Sequence, residues 1–419
     1  MTSDEMILRE LFSAALVAAQ PAGKFDACLP LPAKGRTIVI GAGKASAQMA
    51  AAFEDAWLAA GHAGPEGLVV TRYGHSVPTR YIKVVEAAHP IPDDASEQAS
   101  RHILEIARSA GPDDLVVCLI SGGASALLCM PAPGLTLSDK QRLNHELLRS
   151  GAPIGAMNQV RKALSAVKGG RLAAAVCPAR LVTYLISDVP GDDVNTIGSG
   201  PTIFEHSDPE QVLDLLRAYE ITLTEAMARA IGQNTNAVQP VDAVVHVLAT
   251  PRMALEAAAA RARALGISPL ILSDAIEGEA REVAKVHAAI ARSTRDHGDP
   301  IRGPCVILSG GETTVTMKGN GRGGRNSEFL LALALALGDS NGIAAIAGDT
   351  DGIDGSERNA GAWIDADFIR LASDMGIELS QYLDQNDAYS VFEATERLVV
   401  TGPTYTNVND FRAILIKNE

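Results

Sequence analysis

Residues 36–46 read RTIVIGAGKAS. The apolar run Arg36–Ile40 leads without a polar break into a glycine turn, and an alanine-rich stretch reaches to about Ala60. β-Branched residues favour strands, alanine favours helices, and the glycines between them permit a tight strand-to-helix turn. The same order recurs along the chain. Leu115–Ile120 (LVVCLI) leads through SGGASA (121–126), and Leu181–Ile186 ends at SDVPGDD (187–193). Val244–Leu248 precedes a helical stretch near Arg252–Leu265, which Pro269–Leu272 follows. Val306–Leu308 ends at SGGE (309–312), Thr313–Met317 resumes as a strand, and Ile343–Ala347 ends at GDTDG (348–352). Strands alternating with helices predict an α/β fold, and continuous apolar runs predict largely parallel sheets buried on both faces. Phe329–Leu337 (FLLALALAL) is apolar at every position, which predicts a buried helix too short to span a bilayer. The polar stretch IGQNTNAVQP (231–240) places a domain boundary near residue 235, giving domains 1–235 and 236–419.

Composition narrows the function. The chain has 419 residues, of which 47% are hydrophobic and 21% charged, so globular cores are expected and wholesale disorder is excluded. Asp and Glu number 50 against 36 Lys and Arg, a net charge of −14 that argues against nucleic acid or an anionic membrane surface as partner. Five cysteines without CxxC or metal-ligand spacing read as reduced thiols of a cytoplasmic protein, Cys118 and Cys305 being buried. Leu8, Leu11 and Leu16 fit one helix face, with Thr2 and Glu5 as a cap, and the acidic start disfavours a signal peptide. A homo-oligomer is compatible with the sequence, which does not fix the oligomeric state.

In open α/β sheets ligands bind beyond the carboxyl ends of the strands, where every glycine turn above is expected to lie. Gly41 and Gly43 would expose backbone N–H groups at a helix start, suited to phosphate or carboxylate, and Lys44 adds a cation there. The turn is only half a dinucleotide fingerprint: Ser46 stands where the third glycine belongs, and the next strand ends in Arg72 rather than an acid. An NAD(P)H-dependent reductase therefore rests on Gly41, Gly43 and Arg72 alone. Ser121, Gly122, Gly123 and Ser125 form a second anion-suited turn, Gly311 and Glu312 a third. Asp188 and Asp351 head acidic loops just past strands, where a carboxylate serves as Mg²⁺ ligand or proton acceptor, while Asp192 and Asp193 suit a solvated turn. Arg325 precedes the apolar helix and could bind a carboxylate or phosphate bidentately, or pair with Glu312. His89 lies in a stiff HPIPD loop and is either a substrate contact or structural.

Taken together, these residues resemble the glycerate 2-kinase family with a C-terminal MOFRL domain, some members of which are named hydroxypyruvate reductase. The resemblance is carried by GAGKAS (41–46), HPIPD (89–93), SGGASALL (121–128), NQVRKALSAVKGG (158–170), SDVPGDD (187–193), IGSGPT (197–202), LSGGETTVT (308–316), GRGGRNSEFLL (321–331), AGDTDGIDG (347–355) and TGPTYTNVND (401–410), in order through almost the whole chain. It implies a Rossmann-like doubly wound N-terminal domain, a smaller α/β C-terminal domain and an active site in the cleft between them. It implies transfer of the ATP γ-phosphate, with Mg²⁺, to the 2-hydroxyl of D-glycerate, giving 2-phosphoglycerate. Lys44 and Arg325 fall where the family keeps active-site cations. Two positions depart from the pattern: Ala163 where the family usually has His, and Tyr405 where it usually has a small residue.

Overall fold

The computed structural model describes residues 3–234, 241, 243–338 and 341–417. The chain divides into two compact units. One comprises Pro21–Ser187 and Asp192–Leu248; the other comprises Met1–Gln20, Asp188–Gly191 and Ala249–Glu419. The boundary expected near residue 235 falls on 235–240, which lie outside the described residues.

The first unit is built on β1 (Thr37–Ala42), β2 (Glu66–Arg72), β3 (Lys83–Ala87), β4 (Leu115–Ile120), β5 (Arg180–Ile186) and β6 (Val244–Ala249). They form one six-stranded sheet in the order β3-β2-β1-β4-β5-β6. β1 is parallel to β2 and to β4, with Thr37 opposite Leu115 and Ala42 opposite Ile120; β2–β3 and β4–β5 are parallel too. This is the doubly wound order, and it reverses direction between β1 and β4. All of β4 is buried, which is why its sequence carries no polar alternation. Helices Ser46–Ala59 and Asp94–Arg108 pack on the sheet. Asp93 starts the second of these with a capping box, its carboxylate accepting from the Ser96 N–H at 3.0 Å.

The second unit contains β7 (Ser268–Ser273), β8 (Gly278–Glu279), β9 (Cys305–Gly311), β10 (Thr313–Thr314), β11 (Ile343–Asp349), β12 (Gly361–Ile364), β13 (Leu398–Val399) and β14 (Asp410–Ile416). Its main sheet runs β13-β12-β11-β14-β9-β7, with β8 and β10 paired apart. Here the expectation of parallel strands is corrected. β14 is antiparallel to both β9 and β11, β12 is antiparallel to β11 and β13, and β7–β9 is parallel. β9, β11 and β14 are buried at every position, so their continuous apolar runs report two covered faces and not strand direction.

The strand expected over Thr313–Met317 stops at Thr314. The N–H and hydroxyl of Thr316 go instead to the Glu279 carboxylate at 2.9 and 3.0 Å. The apolar helix is present as Arg325–Leu337, with Phe329–Ala334 buried.

Helix Ser3–Ala19 belongs to this second unit although the sequence division assigns it to the first domain. Leu8, Leu11 and Phe12 are buried, and the Phe12 ring meets that of Phe411 at 5.5 Å. The Thr406 hydroxyl donates to the Ala19 carbonyl at 2.7 Å. Thr2, the expected cap, lies outside the described residues; Glu5 accepts from Arg9 at 2.8 Å.

Candidate active site

In the first unit the two glycine turns lie side by side, because β1 and β4 are neighbours at the point where the sheet order reverses. Their contact is close. A Cβ on Gly41 would sit 2.3 Å from the Leu119 carbonyl, and one on Gly43 2.1 Å from Ser121 Oγ. Gly43 also has φ of +136°, so no other residue fits there without strain.

The approach consumes the donors expected to cradle an anion. Gly43 N–H donates to the Val70 carbonyl at 3.1 Å, Lys44 N–H to the Gly122 carbonyl at 2.8 Å, and Ala45 N–H to Ser121 Oγ at 3.0 Å. Ser46, where a dinucleotide fingerprint has glycine, is buried and its hydroxyl donates to the Val70 carbonyl at 2.8 Å. The reading of Gly41 and Gly43 as a phosphate cradle is therefore corrected: they are packing residues.

The free donors lie in the second turn. The N–H groups of Gly122 and Gly123 donate to no described residue. Gly123 (φ +78°) stands against the His89 ring and the Lys44 side chain, both about 3 Å from where its Cβ would be, and all three are partly exposed. Ser125 Oγ lies 2.8 Å from Ser199 Oγ, and Ser125 also accepts at its carbonyl from the Lys168 ammonium. Lys44, His89, Gly122, Gly123 and Ser125 thus make one anion-suited corner. His89 comes to it from a loop 32 residues before Ser121, so spacing alone did not connect the two.

In the second unit Arg325 opens helix Arg325–Leu337 inside a clamp of three carboxylates. Its Nε donates to Asp410 at 2.8 Å, Nη1 to Glu312 at 2.7 Å and Nη2 to Asp349 at 2.8 Å. Burial pulls the guanidinium down, but Asp410, Asp349 and Glu312 outweigh it and hold Arg325 well above its ordinary value. Asp349 and Asp410 are buried, while the Glu312 side chain is 48% exposed on the rim of a hollow of about 430 Å³ that Arg325 also lines. Gly311 is there for packing, its Cβ position lying 2.2 Å from Ile276 N. Asp349 opens the acidic loop that the sequence singles out with Asp351 as its candidate, while Asp410, at the start of β14, carries no local signal.

Asp188 sits in this same unit, held through its side chain by Asn407 Nδ2 at 3.1 Å and through its carbonyl by Asn409 Nδ2. Asn409 in turn accepts at its carbonyl from the Thr350 N–H and hydroxyl, at 3.1 and 2.7 Å. Asp351 is buried; its carboxylate accepts from the Ile353 N–H at 2.9 Å. Asp188 and the loop carrying Asp351 are therefore linked through Thr350 and Asn409.

The donor chemistry bears on the Mg²⁺ expectation. No group of three or more His, Cys, Asp or Glu side chains among the described residues could hold a metal by itself. Asp349, Asp354 and Asp410 spend their oxygens on Arg325, Arg412, Asn326 and Ser327. The residues fit an ion that arrives with a nucleotide and adds one or two carboxylates to phosphate oxygens and water.

A family model described as a domain of unknown function (DUF4147) matches residues 7–232, and the MOFRL family model matches residues 305–410. The chain belongs to the DUF4147–MOFRL family. Within the family, a protein of Agrobacterium vitis with a provisional hydroxypyruvate reductase name is 51% identical over 99% of this chain and 95% of its own. The D-glycerate 2-kinase of Thermotoga maritima is 37% identical over 96% of this chain and 95% of its own. A crystal structure of glycerate kinase from Thermotoga maritima superposes with a TM-score of 0.89 at 36% identity, covering 98% of this chain and 99% of that one.

The two positions that the resemblance sets apart, Ala163 and Tyr405, have physical settings. Ala163 is fully buried in an apolar cluster with Leu143, Leu147 and Val160. Tyr405 has φ of +59°, a left-handed conformation that a small residue such as glycine adopts without strain.

Proposed function

We propose that this protein is a glycerate 2-kinase, transferring the ATP γ-phosphate to the 2-hydroxyl of D-glycerate. The observation that carries the reading is the match to a D-glycerate 2-kinase along nearly the full length of both chains. The site chemistry supports it, since phosphoryl transfer needs positioning and charge stabilisation more than covalent chemistry.

In this reading the Gly122 and Gly123 N–H groups and Lys44 meet the phosphates of ATP, and Lys44 stabilises the transferring phosphoryl group. Arg325 receives the substrate carboxylate by giving up Glu312, its exposed partner, while buried Asp349 and Asp410 keep the guanidinium in place. Mg²⁺ supplies neutralising charge to the phosphates when bound. Asp188 and Asp351 are the carboxylates for that ion or for the proton of the attacking hydroxyl. A cytoplasmic location fits five free cysteines, three of them buried, and no described helix is long and apolar enough to cross a membrane.

Reduction of hydroxypyruvate with NAD(P)H is the second reading, motivated by the name of the Agrobacterium vitis relative. The turn that would hold a pyrophosphate has spent its Gly43, Lys44 and Ala45 N–H groups on the protein, which favours the kinase. One pair of measurements decides. Phosphorus NMR of protein, D-glycerate, ATP and Mg²⁺ should show 2-phosphoglycerate and ADP, and NADH or NADPH absorbance with hydroxypyruvate should stay flat. ADP no higher than in a glycerate-free control sinks the kinase reading.

A further inference from the structure

The first unit holds a second group of cations that the proposed reaction does not use. Lys140, Arg161, Lys162, Lys168 and Arg171 gather around the segment 158–171, and Lys140, Lys162 and Lys168 are at least nine-tenths buried. Burial first, and then the charges of Lys140, Arg161 and Lys162, push the Lys168 ammonium well below its ordinary value. Among the described residues these five cations make one ion pair, Lys162 with Glu205. The others spend donors on neutral oxygens: Arg161 Nε on Asn144 at 3.1 Å, and Arg171 Nη1 and Nη2 on the carbonyls of Lys168 and Asn234 at 2.7 and 2.9 Å. Two buried donor atoms, Lys140 Nζ and Arg171 Nε, have no hydrogen-bond partner among the described residues. Collected positive charge with unspent donors lacks a counter-anion.

A pocket opens on one side of this group. Lys162, Gly169 and Arg171 line it from one wall, Glu205, His206 and Ser207 from the other. Its enclosed volume is about 60 Å³. At roughly 10–15 Å³ per water-sized sphere that is about four to six such spheres, the size of a phosphate group. Glu205 reaches in from a loop, 36% exposed at its side chain, and its carboxylate occupies the Lys162 ammonium.

We infer that this pocket is a binding site for a phosphoryl group, held closed by Glu205, whose carboxylate stands on Lys162 in place of the ligand. An entering phosphate dianion takes the Lys162 ammonium and the Arg171 Nε–H and releases Glu205 to solvent. A phosphate carries more charge and more acceptor oxygens than the single carboxylate it replaces. The pocket wall connects to the candidate active corner, because Lys168 donates to the Ser125 carbonyl and Gly169 N–H donates to the Ser199 carbonyl at 3.2 Å. A nucleotide, a phosphate ester or inorganic phosphate offers the same chemistry to the pocket. The inference does not depend on the kinase assignment.

Titration calorimetry of the full chain with Mg²⁺-free ATP, with 2-phosphoglycerate and with inorganic phosphate tests it, circular dichroism confirming that each variant is folded. Glu205→Gln removes the competing carboxylate and should tighten phosphate binding about five- to tenfold; Lys162→Met should weaken it by at least as much. Lys162→Arg should retain it. Opposite shifts in all three titrations establish a phosphoryl site open to any source; shifts confined to ATP or to 2-phosphoglycerate establish the site and name its source. Affinities that neither Glu205→Gln nor Lys162→Met changes overturn the inference. These affinities are readable whether or not the protein turns over glycerate, so the two proposals fail separately.

Discussion

Lys44 and Arg325 are both cations beside glycine turns, yet they should respond differently to removal. The Lys44 N–H donates to the Gly122 carbonyl at 2.8 Å, a backbone link between the two turns that a side-chain substitution leaves in place. Lys44→Met is expected to lower kcat by about 10²–10³ with an unchanged melting temperature. Steady-state kinetics beside a thermal melt checks this, and wild-type turnover would reduce Lys44 to a surface residue. Arg325→Met instead takes from three carboxylates, two of them buried, the cation they share, and should cost about 3–5 kcal/mol of stability as well as activity. Arg325→Lys should not rescue it, since the carboxylates are met by three separate nitrogens, Nε, Nη1 and Nη2, and a compact ammonium carries all its donors on one. A melt of Arg325→Met that overlays the wild type would refute a structural clamp. Asp114 gives the acid limb of stability. The Gly111 N–H, the Arg36 side chain and the Arg36 N–H hold its carboxyl down at about 2, below its ordinary 3.8. A depressed carboxyl contributes stability above its unfolded value and loses it as pH falls through the folded one. Urea midpoints should therefore drop between pH 4 and pH 2, and Asp114→Asn should flatten that slope.

Helix Arg325–Leu337 shows how one element is placed by a residue far from it in sequence. Asp354 accepts from the Asn326 and Ser327 N–H groups at 2.9 and 2.8 Å, capping the helix start from another loop. Asp354→Ala should cost about 1–2 kcal/mol and, by shifting Arg325, raise KM for glycerate; denaturant titration and kinetics read the two effects, and an unchanged midpoint would dismiss the cap. This contact marks where sequence reading stops. The strand–turn–helix order of Thr37–Ala59 and the buried β4 are legible because local apolar runs and glycines encode them. Lys44, Ser121 and Arg325 are legible as candidates because glycine turns flank them. The direction of β14 is not legible, since a strand covered on both faces looks alike either way. Nor is the fate of the N–H groups in 43–45, because the two carbonyls and the hydroxyl that take them come from Val70, Gly122 and Ser121. Asp349, Asp410 and His89 join their sites by tertiary contact, which no local pattern records.

At the scale of the whole molecule, chain order and packing order part company at the N-terminus. Helix Ser3–Ala19 begins the sequence but buries Leu8, Leu11 and Phe12 in the unit that carries β11 and β14. At about 1.5–3 kcal/mol for each large apolar side chain, those three alone contribute roughly 5–9 kcal/mol, comparable to the roughly 5–15 kcal/mol that stabilises a typical domain. The Phe12 ring lies tilted against Phe411 of β14, and its edge lies 3.1 Å from where a Cβ on Gly348 of β11 would be. Removing residues 1–20 should therefore unfold or loosen that unit selectively. Hydrogen exchange of the truncated chain is expected to show β11, β14 and helix Pro251–Ala264 losing protection, while β1 and β4, whose strands pair within the other unit, keep theirs. Equal loss of protection in β1 and β4 would show that the two units do not unfold independently, and protection retained in β11 and β14 would show that the helix contributes little to either.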